Sequence, residues 1–273
     1  MFPIIFVILF AIYLFLIFPS FRRHPDRAWM EGLFIAHRGV HNQKAGLPEN
    51  SLLAFTAARK LGFAIELDVR LTADGEVVVF HDDHLQRVCG VEGRVSEMTL
   101  SQLQQLRLLG SEQTIPTLQQ VLKTVDGEVP LLIEFKCEKN DCRALCKAVD
   151  ALMREYNGKY LVQSFYPPVL FWYRRHHRRI CRGILATNFW AQKNSKFYAK
   201  LAALLLFNFV ARPDFVSYEA RFGDCFARCI CAALGAFPIG WTYKSADAVA
   251  AEGYNRAFIF EGFLPEKPYR QDQ

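Results

Sequence analysis

Four short apolar runs end in, or are interrupted by, residues able to move protons or hold a cation. His37 and Arg38 follow residues 33–36, Glu66 and Asp68 lie within 64–70, His81 and Asp82 follow 77–80, and Glu134 and Lys136 lie within 131–136. Residues two apart on a strand face the same side, so Glu66 and Asp68 present both carboxylates together. With Glu134 from another strand they offer three hard oxygen ligands, which suit Mg2+ or Ca2+ better than zinc or copper. Without a cation, three clustered carboxylates repel and one must stay protonated. His37 and His81 titrate near neutrality and can form an acid/base pair, one taking a proton from a nucleophile and the other giving one to a leaving alkoxide. Arg38 and Lys136 are cationic partners for phosphoryl oxygens, the arginine by a two-point fork. The chemistry these types share is phosphodiester cleavage. Taken singly each has a plain structural alternative, such as a hydrogen-bonded strand-end histidine or a Glu134–Lys136 ion pair. Their recurrence at successive strand ends favours one shared pocket.

Such a pocket needs a fold that gathers strand ends at one face, and a (β/α)8 TIM barrel does so at the carboxyl ends of its strands. The 273-residue length fits one such domain behind a short leader. Nine β-branched or aromatic runs alternate with helical patterns: 33–36, 64–69, 77–80, 131–135, 160–165, 181–186, 215–218, 238–242 and 257–260. Eight close a barrel, so one of the last four is read as surplus. Ser51 can cap a helix over 51–61, and another opens at Thr117 after Pro116. Between Asp68 and Val77 there are only eight residues with an Ala73-Asp74-Gly75 turn, too few for a crossover helix. For His81 to share a site with Glu66 and Asp68, the reading is that the chain descends extended and rises again as a parallel strand rather than forming a hairpin.

The same residues carry a family resemblance. Residues 34–39 (Phe-Ile-Ala-His-Arg-Gly), Pro48-Glu49-Asn50-Ser51, Glu66-Leu67-Asp68-Val69, Thr72-Ala73-Asp74-Gly75 and 77–82 stand in an order and spacing that resemble the glycerophosphodiester phosphodiesterase family. Ile115-Pro116-Thr117-Leu118, Ile133-Glu134-Phe135-Lys136, Gln163-Ser164-Phe165 and Trp241-Thr242 extend the likeness over most of the chain. The resemblance implies a TIM barrel with a short insertion after the third strand, from Asp83 to about Gln113. It implies metal-dependent hydrolysis of glycerophosphodiesters to sn-glycerol 3-phosphate and an alcohol. By position, His37 and His81 match the acid/base pair and Glu66, Asp68 and Glu134 the ligands of a divalent cation, Mg2+ or Ca2+. Arg38 and Lys136 match phosphate contacts, Asn50 and Glu49 a motif lining the pocket, and Trp241 a wall on the glycerol side. Three places depart from the family pattern: Cys89 stands for a usual threonine, 241–245 lacks an asparagine, and 258–262 replaces a Thr-Asp pair. Two other functions remain open: a phospholipase D-like or cyclising lipid phosphodiesterase, and a non-catalytic membrane-tethered binding protein.

The apolar run 2–18, ending at Pro19, reads as a retained transmembrane anchor over residues 1–20, with a linker at 21–32 and the catalytic domain at 33–273. Arg22, Arg23 and Arg27 on its C-terminal flank place that domain in the cytoplasm by the positive-inside rule. Eight cysteines at scattered spacings read as free thiols rather than a disulfide framework or a zinc site. The net charge of +6 is modest, but Arg174, Arg175, Arg178, Arg179 and Arg182 cluster. Beside an anchor, membrane lipid is a better partner for them than nucleic acid. A glycerophosphodiester or a lysolipid is the expected substrate.

Overall fold

Period-two alternation in the second strand sets up the whole domain. In β2 (Ala64–Leu71), Ile65, Leu67 and Val69 pack outward against the helices, whereas Ala64 joins the cluster inside the barrel, so Glu66 and Asp68 point inward above it. The computed structural model describes residues 2–137, 141–191, 196–222 and 225–266. Its other strands are β1 (Phe34–Ala36), β3 (Val77–Val79), β4 (Leu131–Phe135), β5 (Tyr160–Ser164), β6 (Arg182–Ala186), β7 (Phe215–Glu219), β8 (Phe237–Tyr243) and β9 (Ala257–Phe260). Eight of them, in the order β1-β9-β8-β7-β6-β5-β4-β2, are parallel neighbours, and β1 pairs with β2 to close the barrel. Ile35, Ala64, Leu132, Leu161, Phe215, Phe237, Ile239 and Ile259 fill the interior, so the barrel is a packed core with its site at one rim.

All nine predicted runs form strands, but the surplus one is β3 and not one of the last four. β3 pairs antiparallel with β2, Val69 opposite Val79 and Leu71 opposite Val77. The hairpin that the sequence reading set aside is therefore what forms, around the turn in which Gly75 takes φ +83°. β2 is eight residues long, and its carboxylates lie short of its end, so the returning strand descends past them. The Phe80 amide donates to the Asp68 carbonyl at 2.9 Å, which sets His81 level with the carboxylates.

The insertion after β3 has its own small core of Phe80, Leu85, Val88, Val95, Leu103, Leu108 and Ile115. Around the barrel run α2 (Leu52–Lys60), α3 (Leu118–Val125), α4 (Cys142–Met153), α5 (Pro167–His176), α6 (Phe197–Ala203), α7 (Asn208–Ala211) and α8 (Phe226–Ala233). Ser51 Oγ accepts from the Ala54 amide at the start of α2, and Thr117 opens α3 with a reciprocal capping box through Gln120. The apolar stretch 201–210 breaks between α6 and α7 around Leu205, whose φ is +58°.

The N-terminal helix α1 (Phe2–Ile17) corrects the anchor and its cytoplasmic domain. It has 16 residues, a rise of about 24 Å against a hydrocarbon core of about 30 Å. No described helix is long and apolar enough to cross a membrane. Its last turn is part of the domain: Ile17 is buried, Asn208 Nδ2 donates to its carbonyl at 3.1 Å, and Arg212 Nη1 donates to the carbonyls of Phe15 and Phe18 at 2.9 and 2.7 Å. The Arg212 guanidinium also lies over the Phe15 and Phe21 rings. Two members of the basic cluster are likewise structural. Arg182 is buried against Asp214 at 3.3 Å, and Arg174 donates to the carbonyls of Phe209 and Val210. All eight cysteines are free.

Candidate active site

The parallel register of β2 and β4 sets Asp68 directly beside Glu134, and β4 with β5 sets Glu134 beside Gln163. Leu132 below Glu134 belongs to the interior cluster, so Glu134 points inward as Glu66 and Asp68 do. Ligand atoms of Glu66, Asp68 and Glu134 all lie within 4.8 Å of one another, and all three residues are buried. Asp68 is tied into a cationic frame: Asn50 Nδ2 donates to Oδ2 at 2.9 Å, Arg38 Nε lies 3.5 Å from Oδ2, and Lys136 Nζ lies 3.3 Å from Oδ1. Lys136 also ion-pairs with Glu134. Glu66 Oε2 accepts from the Arg38 amide at 2.9 Å, whereas Glu66 Oε1 and Asn50 Oδ1 are buried and receive no hydrogen bond among the described residues.

Burial and the neighbouring charges of Asp68 and Glu134 hold the Glu66 carboxyl well above the usual range, and burial raises Glu134 despite Lys136. Burial opposes ionisation of Asp68 too, but Lys136, His81 and Arg38 outweigh it and hold that carboxyl below its usual range. The Lys136 ammonium is in turn held above its ordinary value, its burial outweighed by Glu134 and Asp68. A buried cluster of carboxyls in which burial opposes ionisation and acceptors lack donors is the donor set of a hard cation. The three carboxylates could hold a divalent ion.

The two histidines are oriented alike. His37, at the end of β1, has Nδ1 2.6 Å from Glu261 Oε2, and His81 has Nδ1 2.6 Å from Asp82 Oδ1. A carboxylate can only accept, so each Nδ1 carries the hydrogen and each Nε2 keeps a lone pair for proton exchange. Burial lowers both imidazoles below their ordinary value, His81 to about 4, with Asp68 opposing the shift. Arg70 fixes His81 from behind, its Nε and Nη2 donating to the His81 carbonyl at 3.0 and 2.8 Å.

The remaining predicted residues gather at the same rim. Arg38 and Asn50 take positive φ, +56° and +53°, in the turns that follow β1 and precede α2. Glu49 Oε1 accepts from Arg38 Nη1 at 2.7 Å. Trp241, on β8, donates from Nε1 to the Ser217 carbonyl at 3.1 Å and meets Phe165 edge-on; Phe165 in turn lies beneath Lys136.

Three residues at the site were given no role in the sequence reading. Glu261 holds His37 and pairs with Lys244 Nζ at 2.7 Å, and these partners, led by the His37 bond, hold its carboxyl below the usual range. Arg87, from the insertion, donates to both oxygens of Glu49 at 2.9 and 2.7 Å and to Asp82 at 2.5 Å. Gln163 is buried beside Glu134. Glu261 was findable: it follows β9 as His37 follows β1, a polar residue just past an apolar strand.

Known proteins share this arrangement of chain. Residues 37–171 match the glycerophosphoryl diester phosphodiesterase family. A glycerophosphodiester phosphodiesterase of Caldanaerobacter subterraneus subsp. tengcongensis is 39% identical over 115 residues, 39% of this chain and 46% of that protein. The lysophospholipase D GDPD1 of Homo sapiens is 28% identical over 162 residues, 55% of this chain and 49% of that one. The chain thus spans about half the length, or less, of these curated relatives. The structure of an Oleispira antarctica phosphodiesterase in complex with the product sn-glycerol-3-phosphate superposes with a TM-score of 0.70 at 22% identity, over 86% of this chain and 94% of that one. That likeness concerns the fold, an eight-stranded parallel barrel. Residues 37–171 thus match the glycerophosphoryl diester phosphodiesterase family, and the fold is that of a solved phosphodiesterase.

Proposed function

We propose that this protein hydrolyses glycerophosphodiesters to sn-glycerol 3-phosphate and an alcohol, with a divalent cation, Mg2+ or Ca2+, held by Glu66, Asp68 and Glu134. The observation that carries the reading is the buried carboxylate triad beside two imidazoles oriented by carboxylates. The family of residues 37–171 and the product named in the Oleispira complex support it. When bound, the cation supplies Lewis-acid withdrawal of charge from the phosphoryl group. Arg38 and Lys136 hold phosphoryl oxygens, Arg38 kept in register by Glu49, which Arg87 clamps in turn. Asn50 fixes Asp68, and Trp241 walls the glycerol side of the rim. One imidazole takes a proton from attacking water through Nε2 as the water oxygen bonds to phosphorus. The other returns a proton to the departing alkoxide as its phosphorus–oxygen bond breaks. Both act from fixed orientations, and this pre-organisation is what the Glu261 and Asp82 contacts contribute.

The test is release of glycerol 3-phosphate from glycerophosphocholine by the purified protein. Activity is expected with added Mg2+ or Ca2+, and none after EDTA or in His37→Ala. Full activity in His37→Ala protein rules the mechanism out.

A further inference from the structure

The phosphate grip and one of the proton-exchanging groups follow different strands, and each is held by a single carboxylate. Arg38, after β1, donates from Nη1 to Glu49 Oε1 at 2.7 Å, and His81, after β3, has Nδ1 2.6 Å from Asp82 Oδ1. Arg87 joins those two carboxylates. Its Nη1 and Nη2 donate to Glu49 Oε2 and Oε1 at 2.9 and 2.7 Å, and its Nε donates to Asp82 Oδ2 at 2.5 Å. The outcome is an unbroken line, Arg38–Glu49–Arg87–Asp82–His81, in which every link has a carboxylate as acceptor. A guanidinium suits its centre because the N–H groups lie in one rigid plane, two matched to one carboxylate and a third left for another; an ammonium has no such fork.

Arg87 comes from the insertion after β3, and the insertion fixes it. It sits on the short helix Gln86–Cys89, which ends at Gly90 with φ +73°. The neighbouring Val88 is buried in the insertion's own core, and its carbonyl accepts from the Leu109 amide at 2.7 Å. The backbone under Arg87 is therefore set by the insertion rather than by the barrel. Ion pairs of a cation as exposed as Arg87, whose side chain is 48% exposed, ordinarily contribute little to stability. Its partners are less exposed, Glu49 at 13% and Asp82 at 22%. Burial opposes the charge on both, and the bond from Arg87 leads the contacts that hold both carboxyls below their usual range. We propose that Arg87 is a positioning residue for two parts of the reaction at once: through Glu49 it sets the Arg38 fork on the phosphoryl group, and through Asp82 it sets the His81 imidazole. His37 is held separately, by Glu261 braced on Lys244. The inference rests on the hydrolase reading above and adds to it a means by which the insertion governs grip and proton transfer together.

Steady-state release of glycerol 3-phosphate separates this role from mere docking of the insertion. A grip formed before the reaction and kept through it reads in KM, whereas a proton transfer made only in the transition state reads in kcat. Arg87→Ala is expected to lower kcat about 10-fold through His81 and to raise KM about 5-fold through Arg38. The two losses travel separately. In an Asp82→Asn background Arg87→Ala should leave kcat nearly unchanged, and in a Glu49→Gln background it should leave KM nearly unchanged, as expected of residues acting in one line. Arg87→Lys guards against a variant that fails to fold, because it keeps the charge and loses only the fork. Its melting temperature should stay within about 2 °C of the wild-type value, with kcat or KM still impaired at least about 3-fold. Losses that multiply in both backgrounds, or wild-type kcat and KM in Arg87→Lys, overturn the inference, mark Arg87 as a docking contact and leave the hydrolase reading standing. A wild-type protein that releases no glycerol 3-phosphate from glycerophosphocholine, glycerophosphoethanolamine or glycerophosphoglycerol with Mg2+ or Ca2+ present overturns the hydrolase reading itself, and this inference with it.

Discussion

Replacing Glu261 by glutamine keeps the shape of the group that holds His37 and removes its charge. Nδ1 of His37 lies 2.6 Å from Glu261 Oε2, and the amide oxygen of a glutamine can still accept from it. A hydrogen bond to a charged acceptor contributes about 1.5–3 kcal/mol and a neutral one about 0.5–1.5, so the change removes about 1–1.5 kcal/mol of orientation and imidazolium stabilisation. If that contribution is realised in the transition state, kcat falls about 5- to 10-fold. Glu261→Ala removes the whole bond, and about 10- to 150-fold is expected. Glu261 favours the protonated form of His37, so its loss lowers the His37 pKa further and moves the acidic limb of the kcat/KM profile to lower pH. The assay is glycerol 3-phosphate release across pH in wild-type and both variants, with KM measured alongside. Glu261 contacts His37 and Lys244, not the phosphoryl position, so KM should hold while kcat drops. Unchanged kcat and an unmoved acidic limb in Glu261→Ala would refute the positioning argument.

Stability without metal should depend on pH in a definite direction. Glu66 is held above the ordinary glutamate value of 4.5, so the unfolded chain ionises first, and stability is lost as pH rises from there through the folded pKa; Glu134 acts in the same sense. Asp68 is held below 3.8 and contributes only at the acid end, where stability is lost as pH falls through its folded value. In EDTA these two carboxyls should make Tm decline as pH rises above 4.5, against the opposite contribution of the lowered His37 and His81 below 6.5, and saturating Mg2+ or Ca2+ should remove the carboxyl contribution. A flat profile in EDTA would count against a strained carboxylate cluster. Gly39→Ala should be severely destabilising, because φ is +81° and a Cβ would meet the Ala54 backbone carbon at 2.8 Å; a calorimetric loss under about 1 kcal/mol, the ordinary left-handed penalty, would refute this. Thr117→Ala removes the capping box of α3 and should cost about 1 kcal/mol in denaturant unfolding with no change in kcat.

The sequence by itself determined the strands and the identity of the candidate chemistry. Alternation in 64–71 and 131–135 placed Glu66, Asp68 and Glu134 on inward faces, because a strand's side-chain period is two whatever surrounds it. Caps at Ser51 and Thr117 were legible because a cap is a local hydrogen bond. Tertiary structure decided what depends on distance between elements. Pairing of β3 against β2 turned an expected descent into a hairpin, since free backbone groups at the end of a long strand bond whichever segment returns beside them. The contacts of Asn208 and Arg212 with residues 15–18 drew the end of the apolar N-terminal helix onto the domain, which hydropathy cannot report. Glu261 met His37 from 224 positions away because the barrel closes β9 against β1, and closure is a property of the whole sheet rather than of either strand.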